Sequence, residues 1–315
     1  MSEYSFCELR KIARINQETP LLIPSFSSIL DEKIGLVHSR LRNRLPLASL
    51  VSAYDLSNNL INRDEIWASD VVVVDSGNYE YSNLFNSTLR KNWCLENYFT
   101  FLKTLKPMSK VIIVNFDEKT EIKTQISHAN SLFDNFNNYA HCFLYRPISG
   151  YFDFDEYTSK IDELAQFDVL GITEKELGRS IIERCINLMK LRKALKRKDL
   201  ELPIHVFGCI DPLGVLLFYL SGADMFDGTN WLKLSFDNNL AIYPNNSAVI
   251  SGAWNSFDSS VFEYICAENL RKLTNLMFQL KKYTNEHDLC LFKLDSTTLE
   301  NVKNIITTAQ SNVER

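Results

Sequence analysis

Eight short apolar runs punctuate the first 230 residues of this 315-residue chain, at positions 21–24, 46–53, 70–74, 110–115, 140–145, 167–172, 203–207 and 223–226. Each has the length of a strand buried on both faces. Helical patterns fill several of the gaps, at 98–105, 161–165, 180–195 and 215–220. Strand, helix and strand repeated in this way imply parallel pairing with right-handed crossovers. Eight such strands favour a closed (β/α)8 TIM barrel, an α/β fold, over an open doubly wound sheet. No Gly-x-Gly-x-x-Gly follows the first run, which weighs against a dinucleotide fold. A hydrophobic content of 45% can fill one barrel or two smaller domains. With no low-complexity linker or sharp boundary, residues 1–315 read as a single domain with core strands over about 20–230. Beyond 230, a polar, Asn-rich stretch runs to Asn246, and helices expected at 259–283 and 296–309 close the outer ring.

Barrel active sites lie where strands end, so those ends should carry polar residues or glycine. Here they carry Ser25, Asp75, Asp117, Arg146, Gly171, Gly208 and Asp227. Two of the runs pass straight into an aspartate closely followed by glycine: Val71-Val72-Val73-Val74-Asp75-Ser76-Gly77 and Ala223-Asp224-Met225-Phe226-Asp227-Gly228. Two rim acids facing one substrate are what a two-carboxylate mechanism needs. A carboxylate in the place of Asp227 can attack a sugar carbon or stabilise an oxocarbenium ion, or it can simply cap a helix. Asp224 lies three residues earlier, and an odd separation in a strand sends the two to opposite faces. Asp227 is the better placed of the pair.

Ser76-Gly77-Asn78 beside Asp75 reads as a donor-rich turn, and Tyr79 just beyond can lay its ring over a planar ligand or pack within its loop. Asp117 can accept from a guanine-type N–H pair or pair with Lys119. Gly171 and Gly208 permit close backbone approach to a flat ligand, although a barrel turn would also use them. Arg146 at the rim can grip a phosphate or a carboxylate, or serve a structural ion pair.

Several classes are disfavoured. The seven cysteines are dispersed, with no Cys-x-x-Cys, and read as reduced thiols. Cys266, His287 and Cys290 lack a fourth ligand, so no metal and no cofactor are expected. A formal charge of −5 excludes the chain as a whole from polyanion binding and leaves local patches, at Arg40-Leu41-Arg42-Asn43-Arg44 and at Arg192–Lys198. The second reads more simply as a solvated helix end. No secretion signal or membrane-length run occurs, so a soluble, cytoplasmic protein is expected.

Five segments, in order, resemble the tRNA-guanine transglycosylase superfamily. They are Thr19-Pro20-Leu21-Leu22-Ile23-Pro24, Asp75-Ser76-Gly77-Asn78-Tyr79, Phe116-Asp117-Glu118, Leu170-Gly171-Ile172-Thr173-Glu174 and Ala223-Asp224-Met225-Phe226-Asp227-Gly228. The resemblance covers about residues 19–231. It implies a TIM barrel that exchanges a guanine base in nucleic acid for a deazaguanine. Asp227 would be the nucleophile on C1′ and Asp75 the acid/base. Asp117 would recognise the base edge, Tyr79 would stack on it, and Gly171 would offer a backbone contact. Ser76, Gly208 and Arg146, read from the strand ends and turns alone, complete the expected substrate site, Arg146 standing where the family commonly has a neutral polar residue.

The chain departs from that family at Asn78 and Glu80, where a glycine and a glutamine are usual. It lacks the Cys-rich zinc subdomain, and Thr229-Asn230-Trp231-Leu232-Lys233 replaces the arginines of the bacterial tRNA enzymes. The Asp-Gly-x-x-Trp pattern at 227–231 is similar to the branch that modifies DNA, so DNA is favoured over tRNA as partner. A partner protein or a homodimer is also expected. Two other readings stay open: a non-catalytic binding subunit of a modifying complex, and an N-glycoside hydrolase on the same barrel.

Overall fold

The inward and outward faces of the strands sort this chain's apolar residues into two cores. In the computed structural model, which describes residues 6–29, 34–83 and 93–314, eight parallel strands close into a barrel. They are β1 (Leu21–Phe26), β2 (Ala48–Ser52), β3 (Val71–Asp75), β4 (Lys110–Val114), β5 (Ala140–Tyr145), β6 (Val169–Thr173), β7 (Ile204–Phe207) and β8 (Met225–Gly228). The sheet closes where β8 pairs with β1, Asp227 lying opposite Ile23. All eight apolar runs become barrel strands, and the (β/α)8 expectation stands.

Alternate residues point to opposite faces of a strand. Leu21, Ile23, Val71, Val73, Ile112, Val114, Cys142, Val169 and Met225 therefore fill the barrel interior. Leu22, Val72, Val74, Ile113, Leu170, Val206 and Phe226 face the helices outside. The strand parity that turns Val71 and Val73 inward also turns Asp75 inward, and Met225 does the same for Asp227. The short antiparallel pair Lys11–Ile12 and Gln17–Glu18 lies across the N-terminal end of the barrel. Its Ile12 is fully buried against the interior cluster.

The outer helices are locally encoded. Helix Ile181–Lys196 begins where Ser180 Oγ accepts from the Glu183 amide, and helix Pro212–Leu220 begins at Asp211, which accepts from Gly214 N at 2.9 Å with proline at the first turn. The buried face of Ile181–Lys196 is Cys185, Leu188, Met189, Arg192 and Leu195, a helical repeat with a cation in its middle. That cation departs from the expected solvated helix end. Arg192 is fully buried, donating to Asp224 (2.5 Å) and to the Gly222 carbonyl. Asp224 also takes Arg10 (2.9 Å) and the Ile204 amide (2.8 Å). Asp224 thus faces away from the barrel lumen, as its odd spacing from Asp227 requires. Most other cations of the two basic runs are also engaged: Lys193 meets the Val313 carbonyl, Lys196 meets Glu8, Lys198 meets Asp162, Arg40 meets Glu263 and Arg42 meets Glu65.

Past the barrel, the stretch expected to be merely polar buries Trp231 and Phe236. It forms a ribbon (Ser235–Asp237 with Leu240–Ile242) and a helix, Pro244–Ser251. The long helix Asp258–Glu286 and the last helix, Ser296–Glu314, follow. The last packs against Ile181–Lys196. Helix Ile122–Phe133 also forms, outside the segments with an evident helical pattern. Among the described residues, no helix is long and apolar enough to cross a membrane.

Candidate active site

A cavity of about 360 Å³ opens at the C-terminal end of the strands, and every barrel strand or the loop after it contributes to its wall. Asp75, Tyr79, Asp117, Arg146, Gly208 and Asp227 all line it. Ser76 and Gly171 stand outside the wall. Ser76 is fully buried, and its hydroxyl accepts the amides of Asp117 (3.2 Å) and Asn78 (3.4 Å), tying the loops after β3 and β4 together. At Gly171 a side chain would run into the Phe207 ring 2.6 Å away, so this glycine seats Phe207.

Asp227 belongs to β8 itself and caps no helix. Three donors converge on its carboxylate. Ser25 Oγ, across the closing seam, donates to Oδ2 at 2.7 Å, while His205 Nε2 (3.1 Å) and the Gly208 amide (3.3 Å) donate to Oδ1. The positive φ of Gly208, +83°, turns that amide to the carboxylate, and the space where a side chain would stand is open. His205 is fully buried, stacked on Phe207 with ring centroids 3.8 Å apart. Oδ1 is doubly engaged, so Oδ2 retains the freer lone pair.

Asp75 is held differently. Its Oδ1 accepts from the Ser76 amide at 2.6 Å. Burial first, then the neighbouring charges of Asp117 and Asp227, push its carboxyl up to about 7. Glu80 lies near: Ser27 Oγ donates to its Oε1 at 2.7 Å, and its buried Oε2 meets no partner among the described residues. Burial and the charges of Asp55 and Asp75 hold Glu80 well above the usual carboxylate range. Burial likewise lifts Asp55, which accepts from Ser28 through both oxygens, to about 6.

Arg146 is committed to an ion pair and is not a free rim cation. It donates through Nη1 to both Asp117 oxygens and, through Nε (2.9 Å) and Nη2 (3.0 Å), grips Glu176 as a fork. Lys119, a candidate partner for Asp117, reaches Glu176 instead at 3.0 Å. Asp117 is therefore fixed in orientation, and burial still holds its carboxyl above the usual range despite the guanidinium. Tyr79 opens the helix Asn78–Asn83 near its start and is half-exposed on the cavity wall, with the Lys175 ammonium 5.8 Å from its ring centre. Lys175 and Lys233 stand at the mouth.

Sequence reasoning missed His205 and the structural part played by Glu176. The signal for His205 was present: it sits two residues before Phe207, on the face of β7 that points inward. Glu176 had none, because its partner Arg146 lies 30 residues away across two loops. Among the described residues no group of three or more His, Cys, Asp or Glu is arranged to hold a metal. Neither a family model nor a curated protein sequence matches this chain.

Proposed function

We propose that this protein is a base-exchange transglycosylase that replaces a guanine in nucleic acid, DNA in preference to tRNA, with a deazaguanine through a covalent aspartyl-glycosyl intermediate. The observation that carries this reading is the pair of carboxylates on one cavity. Asp227 is aimed by three donors, while Asp75 is held near neutrality by burial and like charge. Two acids whose surroundings differ in this way suit a nucleophile and a proton carrier.

In the first half-reaction Asp227 Oδ2 attacks C1′ and the bond from C1′ to the base nitrogen breaks. The electron pair passes to that nitrogen, which takes the proton of Asp75. In the second, the ring nitrogen of the entering base gives its proton to Asp75 and attacks C1′. The C1′–O bond to Asp227 then breaks and the carboxylate is restored. The target nucleotide leaves its stack to enter. Asp117, clamped by Arg146, accepts from the N–H groups of a guanine edge, Tyr79 offers a face for stacking, and Lys175 and Lys233 offer positive charge to flanking phosphates. DNA is favoured on the Asp-Gly-x-x-Trp segment, whose Trp231 is buried and donates to the Ser25 carbonyl at 3.2 Å.

The test is incubation with radiolabelled guanine or a deazaguanine and either duplex DNA or tRNA, with Asp227→Asn as control. Label entering DNA, and not in the control, is the expected result. Release of base without uptake of label would make the protein a hydrolase, and no reaction with either polymer would overturn the proposal.

A further inference from the structure

The loops after β5 and β6 meet at the rim of the cavity, on the side where Arg146 clamps Asp117. Phe152 N donates to the Glu176 carbonyl at 2.7 Å, which ties one loop to the other. The β6 loop is also pinned by the helix Ile181–Lys196, from which Arg184 Nε donates to the Gly178 carbonyl (3.0 Å) and Asn187 to the Leu177 carbonyl (2.6 Å). In the β5 loop a turn closed by Gly150 N on the Pro147 carbonyl (3.1 Å) leads into Tyr151. The Arg179 guanidinium lies over the Tyr151 ring, 4.9 Å from its centre. Tyr151 keeps 42% of its surface in solvent, and Arg179 is exposed beside it.

The acids of the β6 loop are all engaged within the chain. Glu174 takes Arg184, Glu176 takes Arg146 and Lys119, and Glu183 accepts the main-chain amide of Arg179 at 2.7 Å. None of the ion pairs among the described residues takes up Lys175, Arg179 or Lys233. Lys175 and Lys233 stand on the cavity wall. Arg179 follows Lys175 by four residues, so at most about 14 Å separates their backbones. Asp153, Asp155 and Glu156, all exposed, follow Tyr151 into the helix Phe154–Thr158. An anion held at Arg179 is therefore favoured on the side of Lys175 and the cavity, away from that helix.

A guanidinium laid on an aromatic ring keeps its other planar face for a further ring, and its N–H groups remain at the edge for phosphate oxygens. Lys175 repeats the arrangement nearer the cavity, with its ammonium 5.8 Å from the centre of the Tyr79 ring. Ring and charge thus alternate from the cavity outward. An unpaired nucleic-acid strand offers the matching alternation, a base face and a phosphate from each nucleotide. A duplex keeps its base faces against one another and offers only the phosphates.

We propose that the loops after β5 and β6 form a binding surface for the unpaired strand beside the target nucleotide, with a flanking base stacked on the Arg179–Tyr151 pair and the intervening phosphate at Lys175. This surface rests on the reading of the cavity as the seat of an unstacked nucleotide, but binding at the rim needs no chemistry at Asp227.

Fluorescence anisotropy of the full chain with a fluorescein-labelled oligothymidine carrying one central guanine tests it, over about 50 to 200 mM NaCl. No free base is present, and circular dichroism is the fold control. The wild type is expected to bind with a dissociation constant on the order of 1–100 μM. Tyr151→Ala should weaken binding about tenfold at an unchanged salt dependence. Arg179→Ala should weaken it at least as much and lower the slope of log K against log salt by about 0.7, the share of one cation on a single strand. Arg179→Lys should keep the slope and still bind more weakly than the wild type. A wild type that does not bind, or one whose affinity and slope all three variants leave unmoved, would overturn the proposal. So would a duplex of the same sequence bound as tightly as the single strand and equally weakened by Tyr151→Ala. Variants that weaken binding as expected, in a protein that exchanges no base, would uphold the surface and remove the transglycosylase reading alone.

Discussion

His205 and Asp227 meet inside the barrel, Nε2 to Oδ1 at 3.1 Å, on adjacent strands paired in parallel. An imidazole that donates to one oxygen turns the other toward the cavity. In the proposed reaction His205 is thus a positioning residue for Asp227. His205→Leu should slow formation of the covalent adduct by about 10- to 100-fold, a loss of one to two hydrogen bonds' worth of orientation. His205→Gln, which can still donate, should recover part of that rate. Rapid-quench single-turnover measurements distinguish this from altered substrate binding, which would move KM alone.

Asp227→Asn should abolish both exchange and the trapped adduct, because an amide cannot form the glycosyl ester. Asp75→Asn should still form adduct, at a rate lowered by about 10²–10⁴-fold, while turnover falls further. Mass spectrometry of the protein after denaturing quench reads both. Near-normal exchange by Asp227→Asn would remove it from the nucleophile's place.

In the proposed mechanism Asp75 must carry a proton for the first half-reaction. With its carboxyl raised to about 7, the single-turnover rate should be flat below that pH and fall about tenfold per unit above it. The same shift has a stability consequence. The folded state holds a proton on Asp75 that the unfolded state has released between about pH 4 and 7, so stability falls as pH rises through that window. Asp55, raised to about 6, acts in the same direction. Asp75→Asn should therefore be more stable than wild type at pH 8, by on the order of 1–2 kcal/mol, and closely matched to it at pH 4. Urea melts at the two pH values check this.

Arg192 and Asp224 are both fully buried, with Arg10 completing the triad. Arg192→Ala leaves Asp224 with Arg10 alone, strips the Gly222 and Leu202 carbonyls of their guanidinium donors and opens a cavity, so it should cost about 3–5 kcal/mol. The site stands at the other end of the barrel, so whatever fraction folds should keep its catalytic rate. Thermal melts and active-site titration separate the two effects.

The barrel was legible because eight strand-length apolar runs are spaced by crossover segments, and because a period of two fixes which residue of each run faces inward. That parity alone separates Asp227 from Asp224 and places Asp75 with Val71 and Val73. Helix Ile122–Phe133 was not legible because its β-branched, Ser and Asn residues have weak helix propensity. Its apolar positions, Ile122, Ile126, Ala129 and Phe133, nevertheless follow the helical repeat and are buried. The clamp on Asp117 was hidden for a different reason. Whether Arg146 meets a ligand or Glu176 depends on two loops converging, and no local pattern encodes that.

Among the described residues, the hairpin seats Ile12 against the interior cluster at the far end of the barrel, and layers of Val, Leu and Ile above it fill the lumen. Among the described residues, the cavity therefore opens at the C-terminal end of the strands and not through the packed lumen. In the proposed base exchange the outgoing base would leave through the same end of the barrel by which its replacement arrives, while the sugar is held on Asp227. Such traffic imposes an order: the first product departs before the second substrate binds. Initial-rate plots at several fixed concentrations of polymer should accordingly be parallel lines, the pattern of a ping-pong enzyme.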